Sequence, residues 1–258
     1  MSPAKTEKPK KPNQGNKPHR TKTLTHDTSE SESEETPVFF FMPQEKFKYC
    51  QFCQWYPSTF TVSKPQMSQL VGRAVDENDP FGSVTFTCAE QYMMYCKAAR
   101  FGDTERQAQI MCEKNPKTQK ALGKEIVGFT DTSWDEVKSA VVEAGNVAKF
   151  GQNPQLKKVL MGTGNRVLAE ASPKDRIWGI GFNEKQAMVN RRNWGENRLG
   201  KALMAAREQL RNEDAEELEV EGNTAEPSGD QSHEPGEGEG EGQSAKASIP
   251  IAIPWKAT

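Results

Sequence analysis

The stretch TCAEQYMMYCKAAR, residues 87–100, has the pattern of a helix that opens on a capping motif. Thr87 and Glu90 are spaced as in a capping box, where a hydroxyl and a carboxylate accept hydrogen bonds from unpaired backbone N–H groups. Glu90 and Lys97 lie on nearly one helix face, separated by roughly 10.5 Å along the axis. Two long side chains at this spacing can converge on a small ligand. A cap residue and a solvated surface lysine would give the same pattern, so this stretch alone leaves both interpretations open.

The sequence before this helix predicts short strands. Residues 37–42 form an apolar run, and residues 52–62 are aromatic and β-branched, with a break at Pro57. Residues 71–80 are charged and end in Asn-Asp-Pro, which predicts a loop. Residues 84–86 predict a further strand that runs directly into the helix.

After this helix, start and stop signals predict several more helices in close succession. Their approximate extents are 103–114, 115–123, 133–150, 153–161 and 197–210, with a strand at 167–171 and a loop at 172–182. In the helix predicted at 133–150, Val137, Val141 and Ala144 belong to an apolar stripe typical of a core-facing helix. The predicted fold class is therefore α+β and mostly helical, a single compact domain with a small β-sheet.

The two ends of the chain differ from its middle in composition. Residues 1–36 are rich in Lys, Pro, Ser and Glu, and residues 213–258 are rich in Glu, Gly and Ser before the apolar segment SIPIAIPW. Such sequences bury too little apolar surface to offset the entropy of ordering. We therefore predict disordered tails, basic then acidic at the N-terminus and acidic at the C-terminus, around one domain at residues 37–212. The apolar segment fits a docking motif, a strand that adds back to the domain, or a chance apolar end.

The net charge of −2 conceals a basic middle part. Residues 27–35 carry five acids, and residues 213–242 carry twelve acids and no base, whereas the first 23 residues are strongly basic. Subtracting these tails leaves an excess of Lys and Arg on the predicted domain. A basic domain suits an anionic partner such as a nucleotide or a nucleic acid, although a mild surface excess is also common.

The histidines and cysteines exclude several classes of chemistry. The histidines are His19, His26 and His233, all in the predicted tails, so a Ser-His-Asp or Cys-His triad and a His-ligated metal are excluded within the domain. Cys50 and Cys53 form a CxxC without a second ligand pair, so no zinc site is predicted. Five cysteines, no signal-like segment and no apolar run near the roughly 20 residues of a membrane span predict a cytoplasmic or nuclear protein without a membrane partner.

Seven segments together resemble one family, the NADAR (YbiA-like) domain family. In chain order they are YPSTF (56–60), AEQYMMYCKA (89–98), ALG (121–123), the helix start at Trp134, KFGQNPQLKKVLMGTG (149–164), SPKDRIWGIG (172–181) and GENRLGKALMAAREQL (195–210). They span about residues 38–211, nearly all of the predicted domain. The resemblance implies a compact YbiA-like α+β domain.

The resemblance also implies an activity. Members of the family resemble N-glycosidases; one branch acts on ribosylamino-pyrimidine intermediates of the riboflavin pathway, and another removes ADP-ribose from guanine in nucleic acid. The family's EHYFQAQK motif corresponds to residues 90–97, which makes Glu90 and Lys97 the implied catalytic pair. The expected substrate is ADP-ribosylated nucleic acid or a nucleotide-like molecule, and we expect neither a cofactor nor a metal.

These residue types suit cleavage of a bond between a base amine and ribose. Glu90 can stabilise an oxocarbenium-like state, activate water or transfer a proton to the leaving amine. Lys97, if its pKa is lowered, can attack the anomeric carbon of an opened sugar as a nucleophile, or act as an electrostatic partner.

Further residues are candidates for ligand contacts. Trp134 and Trp178 could stack on a base, although Trp134 also fits the core of its helix. Two loop glycines could let backbone N–H groups approach a phosphate, or could simply form a turn. Asn197 could cap the last helix or bind ligand. The predicted ligand-binding residues are Tyr92, Trp134, Trp178, Gly179, Gly181 and Asn197.

The sequence departs from the family pattern at three places. Gln91 replaces the His that follows the Glu, Ile180 stands where riboflavin-type members carry an acid, and residues 186–194 form a basic and aromatic insertion. Three functions therefore remain open: removal of ADP-ribose from guanine, N-glycosidase action on a small riboflavin-type intermediate, and a non-catalytic ADP-ribose or nucleotide-binding module.

Overall fold

The computed structural model describes residues 36–223 of the chain, and within them helices outnumber strands. The strands are β1 (Val38–Phe40), β2 (Phe60–Ser63), β3 (Ser83–Phe86) and β4 (Leu168–Glu170). The α-helices are α1 (Lys64–Val71), α2 (Ala89–Phe101), α3 (Thr104–Cys112), α4 (Pro116–Leu122), α5 (Asp131–Gly151), α6 (Pro154–Met161), α7 (Glu184–Ala187) and α8 (Arg198–Asn223). Short 3₁₀ turns lie at Cys50–Phe52 and Met188–Asn193. The predicted α+β, mostly helical class is confirmed.

The strands form two small sheets rather than one. β1 pairs in parallel with β4, with Phe39 opposite Ala169, and β2 pairs antiparallel with β3, with Thr61 opposite Thr85. A parallel pair needs a long crossover, and here the helices between β1 and β4 supply it. Glu170, the last residue of β4, is thereby placed at the carboxyl end of this pair.

The helix α2 lies at the centre of the domain, packed against α3, α4 and α5. Residues Ala89 to Ala99 of α2 are all buried, so the helix has no solvated face over this length. A helix that is apolar or buried all round belongs in the core of a domain. Tyr92 occupies this core at 1 % exposure, with its ring edge-on to Phe60 and Phe86.

The close approach of α2 and α5 depends on a glycine. A Cβ atom added to Gly145 on α5 would lie 2.5 Å from Cδ1 of the Tyr92 ring, which is closer than any van der Waals contact. We predict that Gly145→Ala lowers the free energy of unfolding by about 1–3 kcal/mol, because overpacking a core displaces side chains and backbone. Urea denaturation measures the change. Ser139→Ala, at an exposed position of α5, is the control and is expected to stay within about 0.5 kcal/mol.

Local chemistry explains most helix boundaries. Asp103 accepts from the backbone N–H of Arg106 to cap α3, and Asn115 accepts from Lys117 to cap α4. Pro116 and Pro154 occupy the first positions of α4 and α6, where the missing N–H costs nothing. These starts agree with the predicted ones.

Three predictions of local structure were wrong. The predicted strand at 52–62 is a strand only from Phe60, because residues before it fold into the 3₁₀ turn and a loop. α1 was missed; it begins at a Ser63 cap with Pro65 in its first turn, a signal that the flanking polar residues obscured. α8 runs through Asn223, so residues 213–223 are helical rather than disordered. Their Ala, Glu and Leu are good helix formers and extend a helix that is already nucleated.

Other predictions for the tails lie outside the described residues. These are the rest of both tails, the three histidines and the segment SIPIAIPW. Among residues 36–223, no helix combines the length and the apolar character that crossing a membrane requires.

Candidate active site

A cleft of about 420 Å³ opens beside α2 and receives both members of the predicted pair. Its volume falls within the range of small-molecule sites. The walls come from the loop before β2, from α2, from the α4 region and from the loop after β4. The lining side chains that matter for chemistry are Trp55, Glu90, Lys97, Lys120, Lys124, Trp134, Glu170, Ser172, Asp175 and Trp178.

Glu90 lies in the first turn of α2, with only 5 % of the residue exposed. Its backbone N–H donates to the carbonyl of Gln54, and its carboxylate accepts a hydrogen bond from the indole N–H of Trp55 at 3.2 Å. Burial raises the pKa of the Glu90 carboxyl, while Lys120, the Trp55 hydrogen bond and Lys97 act in the opposite direction. A carboxyl whose pKa is raised by burial is suited to proton exchange during catalysis.

The predicted capping box at Thr87 and Glu90 is wrong. The N-cap of α2 is Cys88, whose side chain makes no capping hydrogen bond. Gln91 instead reaches back, and its Oε1 accepts from the backbone N–H and the hydroxyl of Thr87. This frees the Glu90 carboxylate from a capping role and leaves it at the cleft.

Lys97 lies two turns further along α2 and is 8 % exposed. Its Nζ donates to the carbonyl oxygen of Gly123 at 2.8 Å and lies 3.8 Å from the centre of the Phe129 ring. Burial lowers the pKa of the Lys97 amine, although Asp131 and Glu90 act to raise it. The alternative of a solvated surface lysine is therefore not what the structure shows. An amine with a lowered pKa supplies more of the neutral, nucleophilic form at neutral pH.

The loop that carries Trp55 is held from beneath by a buried lysine. Lys149 of α5 is fully buried, and its Nζ donates to the carbonyls of Gln51 and Cys53 at 2.7 and 3.1 Å. Burial lowers the pKa of Lys149 to about 8. By satisfying two carbonyls of this tight loop, Lys149 fixes the backbone from which Trp55 reaches Glu90.

The Trp55 hydrogen bond gives a testable contribution to the site. We predict that Trp55→Phe raises the pKa of Glu90 by about one unit, because a hydrogen bond to a charged group contributes about 1.5–3 kcal/mol and part of it is recovered by water. The acid limb of the pH–rate profile should move upward by the same amount, so kcat measured on that limb should fall about tenfold. Phe preserves most of the ring volume. Trp194→Phe, whose indole donates to a carbonyl outside the cleft, is the control. An unmoved acid limb would contradict the assignment.

The two predicted tryptophans both line the cleft. Trp134 lies in the first turn of α5 and is 6 % exposed, so it belongs to the core and to the cleft wall at once. Trp178 lies in the loop after β4, and Asp175 Oδ1 fixes this loop by accepting from the backbone N–H groups of Ile177 and Trp178. Two indole faces at one cleft are suited to stacking against a base.

The predicted loop glycines do not line the cleft. A Cβ on Gly179 would lie 2.8 Å from the carbonyl oxygen of Glu170, so this position needs glycine for close backbone packing. Gly181 has a φ of +77°, a left-handed conformation that favours glycine. Both have structural reasons of their own, and their predicted contact with phosphate stays a prediction.

Tyr92 and Asn197 are also placed by the structure, both as buried residues. Tyr92 points into the core described above and is not part of the cleft wall. Asn197 Oδ1 accepts from the backbone N–H of Glu170, and its Nδ2 donates to the carbonyl of Leu168. Asn197 therefore holds the end of β4, a positioning role that neither predicted alternative included.

The family departures have clear structural settings. Gln91 is 2 % exposed, and its amide nitrogen donates to the carbonyls of Ile110, Met111 and Glu113, so it ties α2 to the end of α3. Ile180 is fully buried in a small apolar cluster with Ala169 and Ala187. Neither residue lines the cleft.

The CxxC cysteines do not form a metal or redox centre in the described part of the chain. Cys50 and Cys53 are free and buried, and burial raises the pKa of the Cys53 thiol to about 12. A thiol with so high a pKa is a poor nucleophile and a poor ligand. No group of His, Cys, Asp and Glu side chains within residues 36–223 is arranged to hold a metal ion.

Six of these chemically relevant cleft residues were missed in the sequence: Trp55, Lys120, Lys124, Glu170, Ser172 and Asp175. Trp55 directly precedes the YPSTF segment, and Lys120 directly precedes the ALG segment. Glu170 lies two residues before the SPKDRIWGIG segment. Glu170 belongs to the predicted strand at 167–171, but its place at the cleft depends on the parallel pairing of β4 with β1, which was not predicted. Polar residues at the ends of parallel strands commonly form sites. Lys120 carries no sequence signal that separates it from other surface lysines.

Several known proteins are similar to this chain. N-glycosidase R617 of Acanthamoeba polyphaga mimivirus is 42 % identical over 161 residues, covering 61 % of this chain and 86 % of that protein. Protein irg-1 of Caenorhabditis elegans is 37 % identical over 62 % of this chain and 76 % of its own length. N-glycosidase Npun_R5314 of Nostoc punctiforme is 35 % identical over 40 % of this chain and 60 % of its own length. The relatives support glycosidase activity of the N-glycosidase class for this chain.

The fold also has a solved counterpart. The NMR structure of the Escherichia coli protein YbiA superposes with a TM-score of 0.52 and 24 % identity, covering 70 % of this chain and 89 % of that one. At this identity the likeness shows the fold. The family model for the NADAR domain matches residues 39–211, which contain every helix and strand described except β1's first residue and the end of α8. The chain belongs to the NADAR domain family.

Proposed function

We propose that this N-glycosidase removes ADP-ribose from guanine in nucleic acid. The observation that carries the proposal is the burial of a carboxyl and an amine, Glu90 and Lys97, at one cleft with their pKa values shifted toward neutrality from opposite sides. Paired groups perturbed in this way are typical of proton transfer and nucleophilic catalysis.

The remaining walls of the cleft suit an ADP-ribosyl group on a base. Trp134 and Trp178 offer indole faces for an adenine or for the guanine, and Lys120 and Lys124 place two ammonium groups at the wall, where a diphosphate needs cations. Glu170 and Asp175 add two carboxyl groups to the cleft wall. Carboxylate oxygens can accept hydrogen bonds from the hydroxyls of a ribose. The cleft therefore combines aromatic and charged walls, as a nucleotide combines a flat base with a sugar and charged phosphates.

The proposed roles follow from the two side chains. With the sugar opened, the neutral amine of Lys97 attacks the anomeric carbon, the base amine departs with a proton, and water then hydrolyses the lysine imine. Glu90 supports proton transfer at the same centre. If Lys97 acts only as a charge, Glu90 activates water directly against an oxocarbenium-like carbon.

The test is a cleavage assay with the full chain on DNA and RNA oligonucleotides that carry ADP-ribose on guanine. We expect release of ADP-ribose and restoration of the unmodified guanine, followed by mass spectrometry. An oligonucleotide with ADP-ribose on thymine controls for general hydrolysis. Binding of ADP-ribose by calorimetry without any turnover would overturn the proposal in favour of a binding module.

A second candidate substrate is a ribosylamino-pyrimidine phosphate. A relative named Riboflavin biosynthesis protein, from Vibrio vulnificus, is 26 % identical over 68 % of this chain and 39 % of its own length. Turnover of the small pyrimidine riboside alone would favour this candidate. The buried Ile180 argues against this second substrate, since the resemblance implies an acidic residue at this position in the riboflavin-type branch. Localisation in the cytoplasm or the nucleus remains a prediction.

A further inference from the structure

A second carboxyl in the cleft is left without a hydrogen-bond partner. Glu170 lies at the end of β4, where Asn197 Oδ1 accepts from its backbone N–H at 3.1 Å and holds the strand end in place. Its side chain lines the cleft, and its Oε2 is buried with no hydrogen-bond partner among residues 36–223. Buried polar atoms are nearly always satisfied in a folded protein, so an unsatisfied oxygen at a cleft marks a position for a ligand atom.

The charges around Glu170 differ from those around Glu90. Burial, with smaller contributions from Asp175 and Glu90, raises the pKa of Glu170 to about 7, although Lys120 acts to lower it. Glu90 instead has the Trp55 N–H and two lysines that favour its ionised form. Burial raises the pKa of both carboxyls, but the nearby carboxylates favour the protonated form of Glu170, whereas the neighbours of Glu90 favour its ionised form. This difference suits Glu170 to act as an acid and Glu90 as a base.

We propose that Glu170 is a further catalytic residue, the general acid that delivers a proton to the leaving guanine. This inference rests on the proposed function and adds a role that the Glu90 and Lys97 pair leaves unassigned. Protonation must occur somewhere, because a guanine amine cannot leave as its anion at a useful rate. Glu170 lines the same cleft as the pair, so the proposal places all three side chains around one anomeric centre.

The bond between the anomeric carbon and the guanine nitrogen breaks, and its electron pair stays on that nitrogen. The Glu170 carboxylic acid gives its proton to the nitrogen, and neutral guanine leaves. Glu90 takes a proton from the attacking water. That water adds either to the anomeric carbon itself or to the carbon of the Lys97 imine, which it hydrolyses. A proton passes from Glu90 to solvent and one returns to Glu170, so both carboxyls are restored.

The test compares Glu170→Gln with wild type in single-turnover cleavage of the guanine-linked oligonucleotide across pH 5–9. We expect the rate at neutral pH to fall by about 10²-fold or more. The wild-type rate should decline on the alkaline side as Glu170 loses its proton, and this alkaline decline should be absent in the variant. Glu170→Asp is expected to recover part of the rate and to restore the decline.

The matched control is Glu143→Gln. Burial also raises the pKa of Glu143, but this residue of α5 does not line the cleft. Its variant should keep the wild-type rate and pH profile. Calorimetry with ADP-ribose on each variant establishes that the site still folds and binds.

The outcomes separate the two proposals. Wild-type cleavage together with a Glu170→Gln rate within threefold of wild type, or with its alkaline decline retained, overturns the role of Glu170 and leaves the proposed function standing. A wild-type chain that cleaves only the ribosylamino-pyrimidine phosphate overturns the proposed substrate. The same variants are then compared on that substrate, whose leaving group is again an amine. No wild-type turnover on either substrate overturns both.

Discussion

Glu90→Gln is expected to lower kcat/KM for release of ADP-ribose from guanine by about 10²–10⁴-fold, the range that a positioned acid or base contributes. The physical reason is that Gln cannot exchange a proton, while its amide oxygen can still accept from the indole of Trp55 at the place of the carboxylate. Binding of ADP-ribose should therefore change by less than tenfold. Steady-state kinetics and calorimetry on the same preparation measure both quantities.

Stability provides the internal control for this variant. Burial raises the pKa of Glu90, which means that the ionised carboxylate is disfavoured in the fold. A neutral amide removes that cost, so the melting temperature should not fall. Glu105→Gln, at an exposed position of α3, should leave rate and stability unchanged. A Glu90→Gln protein with an intact fold and full activity would remove Glu90 from the mechanism.

The sequence predicted the face of α2 but not its surroundings. Helical spacing places Glu90 and Lys97 on one side whatever surrounds them, so that inference needs only local geometry. Their burial depends on contacts distant in sequence: Trp55 lies 35 positions before Glu90, and the Gly123 carbonyl lies 26 positions after Lys97. Tertiary packing therefore turned an apparent surface lysine into a buried amine.

The same distinction accounts for the residues that sequence reasoning assigned differently. The side chain of either Glu90 or Gln91 could accept the hydrogen bond from the backbone N–H of Thr87. The structure uses Gln91, because its amide nitrogen also donates to carbonyls of α3. Asn is a common helix cap, yet the side chain of Asn197 donates a hydrogen bond to β4, because the start of α8 lies against that strand. Tyr92 shares a motif with the predicted catalytic pair but lies on the opposite side of α2, in the core.

The elements predicted best are those with local signals. Proline at a first helical position and an Asn or Asp cap located the starts of α3, α4 and α6. The second carboxyl, Glu170, required knowledge that β4 pairs in parallel with β1 and ends at the cleft. Pairing between strands that lie far apart in the chain has no local signature, because register is set by the assembled core.

Lys97→Met should abolish turnover more completely than any other single change, with a loss on the order of 10⁴-fold if the amine is the nucleophile. Met preserves the length and the apolar stem that packs near Phe129, and it removes the nitrogen that donates to Gly123. The fold should tolerate the change, because a buried amine with a lowered pKa gains little from being charged. Circular dichroism and ADP-ribose binding check this point.

Covalent trapping distinguishes the two roles open to Lys97. Borohydride added during turnover should reduce a lysine imine to a secondary amine and leave one ADP-ribosyl group on the protein, located at Lys97 by peptide mass spectrometry. Lys97→Met should show no adduct, whereas Lys117→Met, which changes an exposed lysine of α4 that does not line the cleft, should retain it. Lys97→Arg then gives the complementary result: it keeps the positive charge but cannot form an imine. Activity of Lys97→Arg near wild type, with no trapped adduct in the wild-type protein, would establish Lys97 as an electrostatic partner and leave attack on the anomeric carbon to water.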